Sequence, residues 1–127
     1  MVRMCGGGNM GRILIVDDEK DMCEVLAQYF SSDGHEVDCA YDALDALEKS
    51  KTKKYHYALV DLVMPGPMNG IDVIRQIKKD SPGTKIIAYS GFSDLDIADR
   101  VVSAGANFFL TKPFKQQQLS QLLFHSN

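Results

Sequence analysis

Three aspartates, a serine and a lysine have the side chains that phosphoryl chemistry needs, and each sits at the end of a short apolar run. Asp17 and Asp18 follow RILIV at 12–16, and Asp61 follows YALV at 57–60. Ser90 follows TKIIAY at 84–89, and Lys112 lies just beyond NFFL at 107–110. Three carboxylates brought together repel by about 1 kcal/mol per pair at 4 Å in bulk water and about 4 near a protein surface, so a positive charge must offset them. A hard cation with oxygen ligands meets that need. Mg2+, held by one or two carboxylates and several waters, suits phosphate chemistry, with Mn2+ as an alternative. Lys112 would add a second, fixed positive charge. A carboxylate flanked by metal, amine and hydroxyl has a nucleophile, charge neutralisation and positioning for in-line phosphoryl transfer. Asp61 is the best nucleophile candidate, because a rigid strand precedes it and a turn follows.

Each residue also has a plainer reading. Adjacent acids such as Asp17-Asp18 often mark a helix start. Lys112 before Pro113 fits a solvated turn, and Ser90-Gly91 an ordinary loop start. Phe108 or Phe109 is core, and strand alternation lets only one of them point inward. His35, His56 and His125 have no partner at catalytic spacing and read as surface residues. The methionines read as gap fillers. What favours the sharper reading is the coincidence of four strand ends.

The intervening segments must bring those ends together. RILIV is apolar and β-branched, as in a strand buried on both faces. Residues 19–31 carry Met22, Val25, Leu26, Tyr29 and Phe30 at helical spacing, before Ser-Ser-Asp-Gly stops the helix. HEVDCA at 35–40 alternates like a less buried or edge strand, and 42–49 carry Ala43, Leu44, Ala46 and Leu47 in a short helix. YALVDL is the third strand, broken by MPGPMNG, and Asn69 can cap a helix through Ile71, Val73, Ile74 and Ile77. After the fourth strand, Ser93 or Asp94 can cap a helix through Ile97, Val101 and Val102 that Gly105 closes. NFFL is the fifth strand, and 116–125 form a last helix with Leu119, Leu122 and Leu123 inward. Five alternating βα units predict an α/β fold, a parallel sheet with helices on both faces. Ligands of such sheets bind at the carboxyl ends of the strands, where the strand order reverses.

The sequence Ile-Val-Asp17-Asp18-Glu19, then Leu-Val-Asp61-Leu-Val-Met-Pro, Tyr89-Ser90-Gly91 and Leu-Thr-Lys112-Pro113-Phe114 resembles the receiver domain of two-component response regulators from Arg12 to about His125. The resemblance implies a doubly wound, flavodoxin-like (βα)5 fold with strand order 2-1-3-4-5. It implies Asp61 as phosphoacceptor from a histidine kinase phosphohistidine, Asp17 and Asp18 as the acidic metal pair, and the Val63 backbone carbonyl completing the Mg2+ site. Ser90 would be the switch hydroxyl, Phe109 the aromatic that reorients with it, and Lys112 the partner of the new anion. The implied partners are a sensor histidine kinase or phosphotransfer protein and a downstream effector, with a phosphorylation-dependent homodimer as a further option. Such a domain takes part in its own phosphorylation and slow dephosphorylation and is otherwise no enzyme. A phosphoryl group adds nearly two charges and three acceptor oxygens, enough to draw Ser90 and Lys112 inward and bias a bistable surface.

Two departures from the family pattern stand out. The loop MPGPMNG is one residue longer than the usual Met-Pro-x-Met-Asp/Asn-Gly. Val63 and Phe92 are apolar where some members place polar groups that assist water, which predicts a long-lived phosphoryl group. Rival readings are an interaction module that is never phosphorylated, an aspartyl-phosphate phosphohydrolase, and a flavin binder. The hydrolase usually wants a second acid two residues after the nucleophile, where Val63 stands. The flavin binder wants a Ser/Thr-rich loop after the first strand, which is missing.

The totals agree with one small domain of 127 residues. A net charge of -3 and pI near 5.5 give no footprint for direct binding of nucleic acid or an anionic membrane. Cys5, Cys23 and Cys39 fit neither a zinc site nor CxxC and read as free thiols of a cytoplasmic protein. No apolar run reaches the roughly 20 residues of a membrane span. Residues 1–11, rich in glycine, read as a flexible lead before the domain at 12–127.

Overall fold

The computed structural model describes residues 11–64, 68–91 and 95–125. Along the chain run β1 (Arg12–Val16), α1 (Lys20–Ser31), β2 (Glu36–Ala40), α2 (Ala43–Thr52), β3 (Tyr57–Asp61), α3 (Gly70–Asp80), β4 (Lys85–Ser90), α4 (Leu95–Ala104), β5 (Phe108–Thr111) and α5 (Gln116–Phe124). The strands form one parallel sheet in the order β2-β1-β3-β4-β5. The chain therefore reverses direction across the sheet after β2, which opens a crevice beyond the ends of β1 and β3.

Both faces of the sheet are covered, which explains why its central strands are continuously apolar. Ile13, Ile15, Leu59, Ile87 and Tyr89 pack against Cys23, Leu26 and Phe30 of α1 and Leu119 and Leu123 of α5. Leu14, Val16, Ala58, Val60, Ile86 and Ala88 face α2, α3 and α4 through Ala46, Ile74, Ile77 and Val101. At roughly 1.5–3 kcal/mol per buried large aliphatic side chain, this two-sided core holds the strand ends in place. Two caps fix the helices flanking the crevice. The Asp42 carboxylate accepts the Asp45 amide at 2.8 Å, and Asn69 and Asp72 exchange hydrogen bonds in a reciprocal capping box. Gly105, at φ +119°, supplies the left-handed stop after α4. The expected cap at Ser93 or Asp94 lies outside the described residues.

Two expectations are corrected, and three apolar helix positions are exposed. His35 is a buried residue: its Nδ1 accepts the Gly11 amide at 3.1 Å and its ring stacks on Phe124 at 4.5 Å. Burial holds its pKa below the ordinary 6.5, against the charge of Asp33. Phe108 and Phe109 are both partly buried, on opposite faces, because each face of β5 has helices to pack against. Val25, Leu44 and Val102 point outward at 49%, 61% and 60% exposure, and on α1 the inward position is taken by Cys23. His56 and His125 are exposed, as expected. Of the glycine-rich lead only Gly11 is described, and its carbonyl accepts the Glu36 amide at 2.9 Å.

Candidate phosphoryl and metal site

Asp17 continues β1 into the crevice and is fully buried. Its amide donates to the Ala40 carbonyl at 3.0 Å, which fixes the strand end. Both side-chain oxygens are engaged: Oδ1 accepts the Glu19 amide at 2.9 Å, and Oδ2 accepts the Tyr89 hydroxyl at 2.6 Å. The first contact steadies the entry into α1, whose N-cap Glu19 makes no side-chain cap of its own.

Asp61 closes β3 and is 4% exposed. Its Oδ1 accepts the Val63 amide at 3.1 Å, and Oδ2 lies 3.6 Å from Lys112 Nζ. Burial pushes its carboxyl up to about 6, helped by the charges of Asp17 and Asp18 and opposed by the Val63 amide and Lys112. Lys112 sits beyond β5, where its amide donates to the Ser90 carbonyl at 2.8 Å. Nζ bonds Glu19 Oε1 at 3.2 Å and stands over the Tyr89 ring at 5.3 Å. Burial alone would lower the lysine's pKa, but Glu19, Asp61 and Asp17 outweigh it and hold the ammonium above its ordinary value. Ser90 ends β4 and is 1% exposed.

The five residues singled out in sequence thus lie at one edge of the sheet, with a difference in detail. The carboxylates that gather within 4.8 Å of one another are Asp17, Glu19 and Asp61. Asp18 is exposed and lies outside this cluster, acting on Asp61 through its charge. Val63 engages Asp61 through its amide, and its side chain is 56% exposed. Phe109 packs on the face covered by α2, α3 and α4. Phe92 and the loop residues 65–67 lie outside the described residues.

The donor set fits a divalent cation. Three hard oxygen ligands converge within 4.8 Å of one another, with Lys112 as the ammonium beside Asp61. Glu19, two residues beyond Asp17, was legible only as part of the acidic run. Tyr89 was hidden because an aromatic in an apolar strand reads as core. It is core by its ring, which meets Phe114 edge-on at 5.1 Å, and polar at its tip. Burial and the neighbouring Asp17 keep that phenol protonated, its pKa well above 10. Gly70 was also missed. A Cβ there would collide with the Asp61 carbonyl oxygen and come within 2.7 Å of Leu62 Cα, so only glycine lets α3 begin against the site backbone.

Known proteins resemble this chain in sequence and in fold. The chemotaxis protein CheY of Thermotoga maritima is 36% identical over 113 residues, 88% of this chain and 93% of that one. Other curated relatives are longer, and the chain spans only 28% to 49% of the next three, which include the response regulator ArlR of Staphylococcus saprophyticus. A CheY-like receiver domain from Methanospirillum hungatei superposes with a TM-score of 0.86 at 29% identity, covering 92% of this chain and 93% of that one. The response regulator TrrA of Thermotoga maritima, solved in complex with Mg2+-BeF, gives 0.77 at 32% identity, with 87% and 94% covered. Residues 13–124 match the response regulator receiver domain. With the five parallel strands in the order β2-β1-β3-β4-β5 and an acidic crevice at their carboxyl ends, this places the chain in the response regulator receiver domain family.

Proposed function

We propose that Asp61 is the phosphoacceptor of a two-component switch and that Asp17, Glu19 and Asp61 hold the Mg2+ it requires, assisted by Asp18 and the Val63 carbonyl. The observation that carries this reading is Asp61 itself, a carboxylate almost wholly buried at a strand end, with a lysine ammonium 3.6 Å away and two further carboxylates beside it. A structural acid would not be placed in such company, because burial first and the neighbouring acids second raise its pKa and cost stability.

Asp61 attacks as its carboxylate, held at the strand end by the Val63 amide and faced by the Lys112 ammonium 3.6 Å away. One Asp61 oxygen forms the new P–O bond as the bond from phosphorus to the donor's imidazole nitrogen breaks. The bound cation would supply charge neutralisation to the phosphoryl oxygens. Lys112 gains a stronger anion than Glu19 and exchanges one for the other. Ser90 then donates its hydroxyl to a phosphoryl oxygen, and Phe109, behind it on the α4 side, follows the vacated space. The phosphodonor is a sensor histidine kinase or phosphotransfer protein. An open groove of about 610 Å3 beside Lys112, lined by Met22, Val25, Tyr29 and Phe114, gives it a surface to approach. The output passes to a downstream effector domain or protein, or through a phosphorylation-dependent homodimer. The chain acts as a cytoplasmic switch rather than a turnover enzyme, and none of its described helices is long and apolar enough to cross a membrane.

Intact-mass measurement after incubation with acetyl phosphate tests this reading. A single phosphoryl adduct that needs Mg2+ and is absent from Asp61→Asn supports it. Equal phosphorylation of the variant would defeat the assignment to Asp61.

A further inference from the structure

Tyr89 reaches across the sheet to the acids of the site. Its strand, β4, pairs with β3, and β3 lies between it and β1. Neighbouring strands sit roughly 4.8 Å apart, so a contact from β4 to the end of β1 bridges about 10 Å of sheet. The phenol makes that bridge: Tyr89 is wholly buried, and its hydroxyl donates to Asp17 Oδ2 at 2.6 Å. The same ring lies under Lys112 Nζ, 5.3 Å from its centre, and meets Phe114 edge-on at 5.1 Å. Its main chain is tied as closely to the site. Tyr89 stands in register with Asp61, its carbonyl accepts the Leu62 amide at 3.0 Å, and Ser90 is the next residue. Phenylalanine would supply the ring for the core; only the hydroxyl reaches a site carboxylate.

We propose that Tyr89 is a positioning residue for the divalent cation, its hydroxyl holding the Asp17 carboxylate in the orientation that ligates. The inference rests on the reading of Asp17 as a ligand. The last torsion of an aspartate is broad, so a lone carboxylate turns easily. Asp17 is held at both oxygens, Oδ1 by the Glu19 amide at 2.9 Å and Oδ2 by Tyr89. An ionised carboxylate has roughly four lone-pair sites, so two donors leave others open and need not compete with a cation. Removing the phenol's hydrogen bond frees Oδ2 to turn, and the cation must then order the ligand as it binds. Loss of such a partner to a metal ligand typically weakens binding by about 10- to 100-fold. Because the ring also lies beneath Lys112, one side chain sets a ligand and the lysine relative to each other.

Calorimetric titration of the full chain with Mg2+ tests this, comparing wild type with Tyr89→Phe, Ile87→Val and Asp17→Asn. Tyr89→Phe keeps the ring and removes the donor, and it should raise the Mg2+ dissociation constant about 10- to 100-fold. Ile87 lies on the same strand and in the same buried layer, so Ile87→Val loosens the packing without removing a polar contact and should leave the constant unchanged. A Tyr89→Phe constant within about threefold of wild type overturns the proposal. Equal weakening by Ile87→Val overturns it too, since the tyrosine would then matter only as packing. Asp17→Asn separates the two levels. A normal constant for Asp17→Asn defeats the reading of the metal site itself, whereas a weakened Asp17→Asn beside an unchanged Tyr89→Phe defeats only the role of Tyr89. If Tyr89→Phe does not fold, wild-type protein labelled with carbon-13 at tyrosine Cζ decides. The Tyr89 resonance should move with Mg2+ at the calorimetric midpoint, and a resonance that stays fixed would overturn the proposal.

Discussion

Replacing Asp61 by asparagine should stabilise the metal-free protein, although it removes the residue on which the switch depends. In the folded state the carboxyl is lifted from its ordinary 3.8 to about 6, first by burial and then by Asp17 and Asp18. Each factor of ten in acidity is worth about 1.4 kcal/mol, so holding this group ionised at pH 7 costs about 2–3 kcal/mol. The side chain is only 6% exposed, so solvent screens little of it. Asparagine has the same shape, its oxygen can still accept the Val63 amide, and it carries no charge. The gain should raise the melting temperature by roughly 8–12 °C for a domain of this size. The pH dependence has a definite sign. Because the folded carboxyl binds its proton more tightly than the unfolded one, folding takes up a proton between about pH 4 and 6. Wild-type stability from this group therefore falls as pH rises through that window, and the advantage of the variant shrinks below about 1 kcal/mol by pH 4. Mg2+ should largely cancel the difference, since a cation at 100 times its dissociation constant adds about 2.7 kcal/mol to the form that binds it. Urea denaturation in EDTA at pH 7 and pH 4, then at pH 7 with Mg2+, checks all three statements. A variant no more stable than wild type in EDTA at pH 7, or equally advantaged at both pH values, would refute the electrostatic reading.

Other substitutions probe the surrounding residues. Gly70→Ala should cost about 1–3 kcal/mol in urea denaturation, because its Cβ meets the Asp61–Leu62 backbone rather than a side chain that can move. Tyr89→Phe keeps the ring packed on Phe114 but leaves Asp17 Oδ2 without its 2.6 Å donor, at a cost of about 1–3 kcal/mol by the same assay; an unchanged midpoint would mean that water replaces the phenol. Val63→Glu places an acid beside the acceptor at an exposed position and should shorten the phosphoryl lifetime, followed as loss of adduct after dilution into phosphatase-free buffer; an unchanged lifetime would show that the side chain at 63 does not govern hydrolysis.

The fold was legible because its signals are local and repeated. Short apolar runs alternating with helical periodicity can satisfy both faces only as a parallel sheet between two helical layers. The same logic explains the failures. Phe108 and Phe109 were read as alternatives because strand alternation sends only one of them to each face, whereas helices cover both faces and each ring is partly buried. Val25 and Leu44 fit a helical stripe by spacing but fall at its margin, where exposure costs little. His35 gave no sign of burial because its partners are the amide of Gly11 and the ring of Phe124, at opposite ends of the chain. At the site, the residues that end strands were visible and those that support them were not. Asp17, Asp61, Ser90 and Lys112 announce themselves as polar groups after apolar runs. Glu19, Tyr89 and Gly70 matter only through register, which brings Tyr89 alongside Asp61 on the neighbouring strand and sets α3 against the Asp61 carbonyl.

Borohydride trapping tests the central claim most directly. Protein treated with acetyl phosphate and Mg2+ is reduced with sodium borohydride, which converts an aspartyl phosphate to homoserine, and the peptides are sequenced by mass spectrometry. The account predicts homoserine at position 61, dependent on Mg2+, with Asp17 and Asp18 unchanged. Homoserine at another aspartate, or none at 61 in protein that carries the phosphoryl mass, would contradict it.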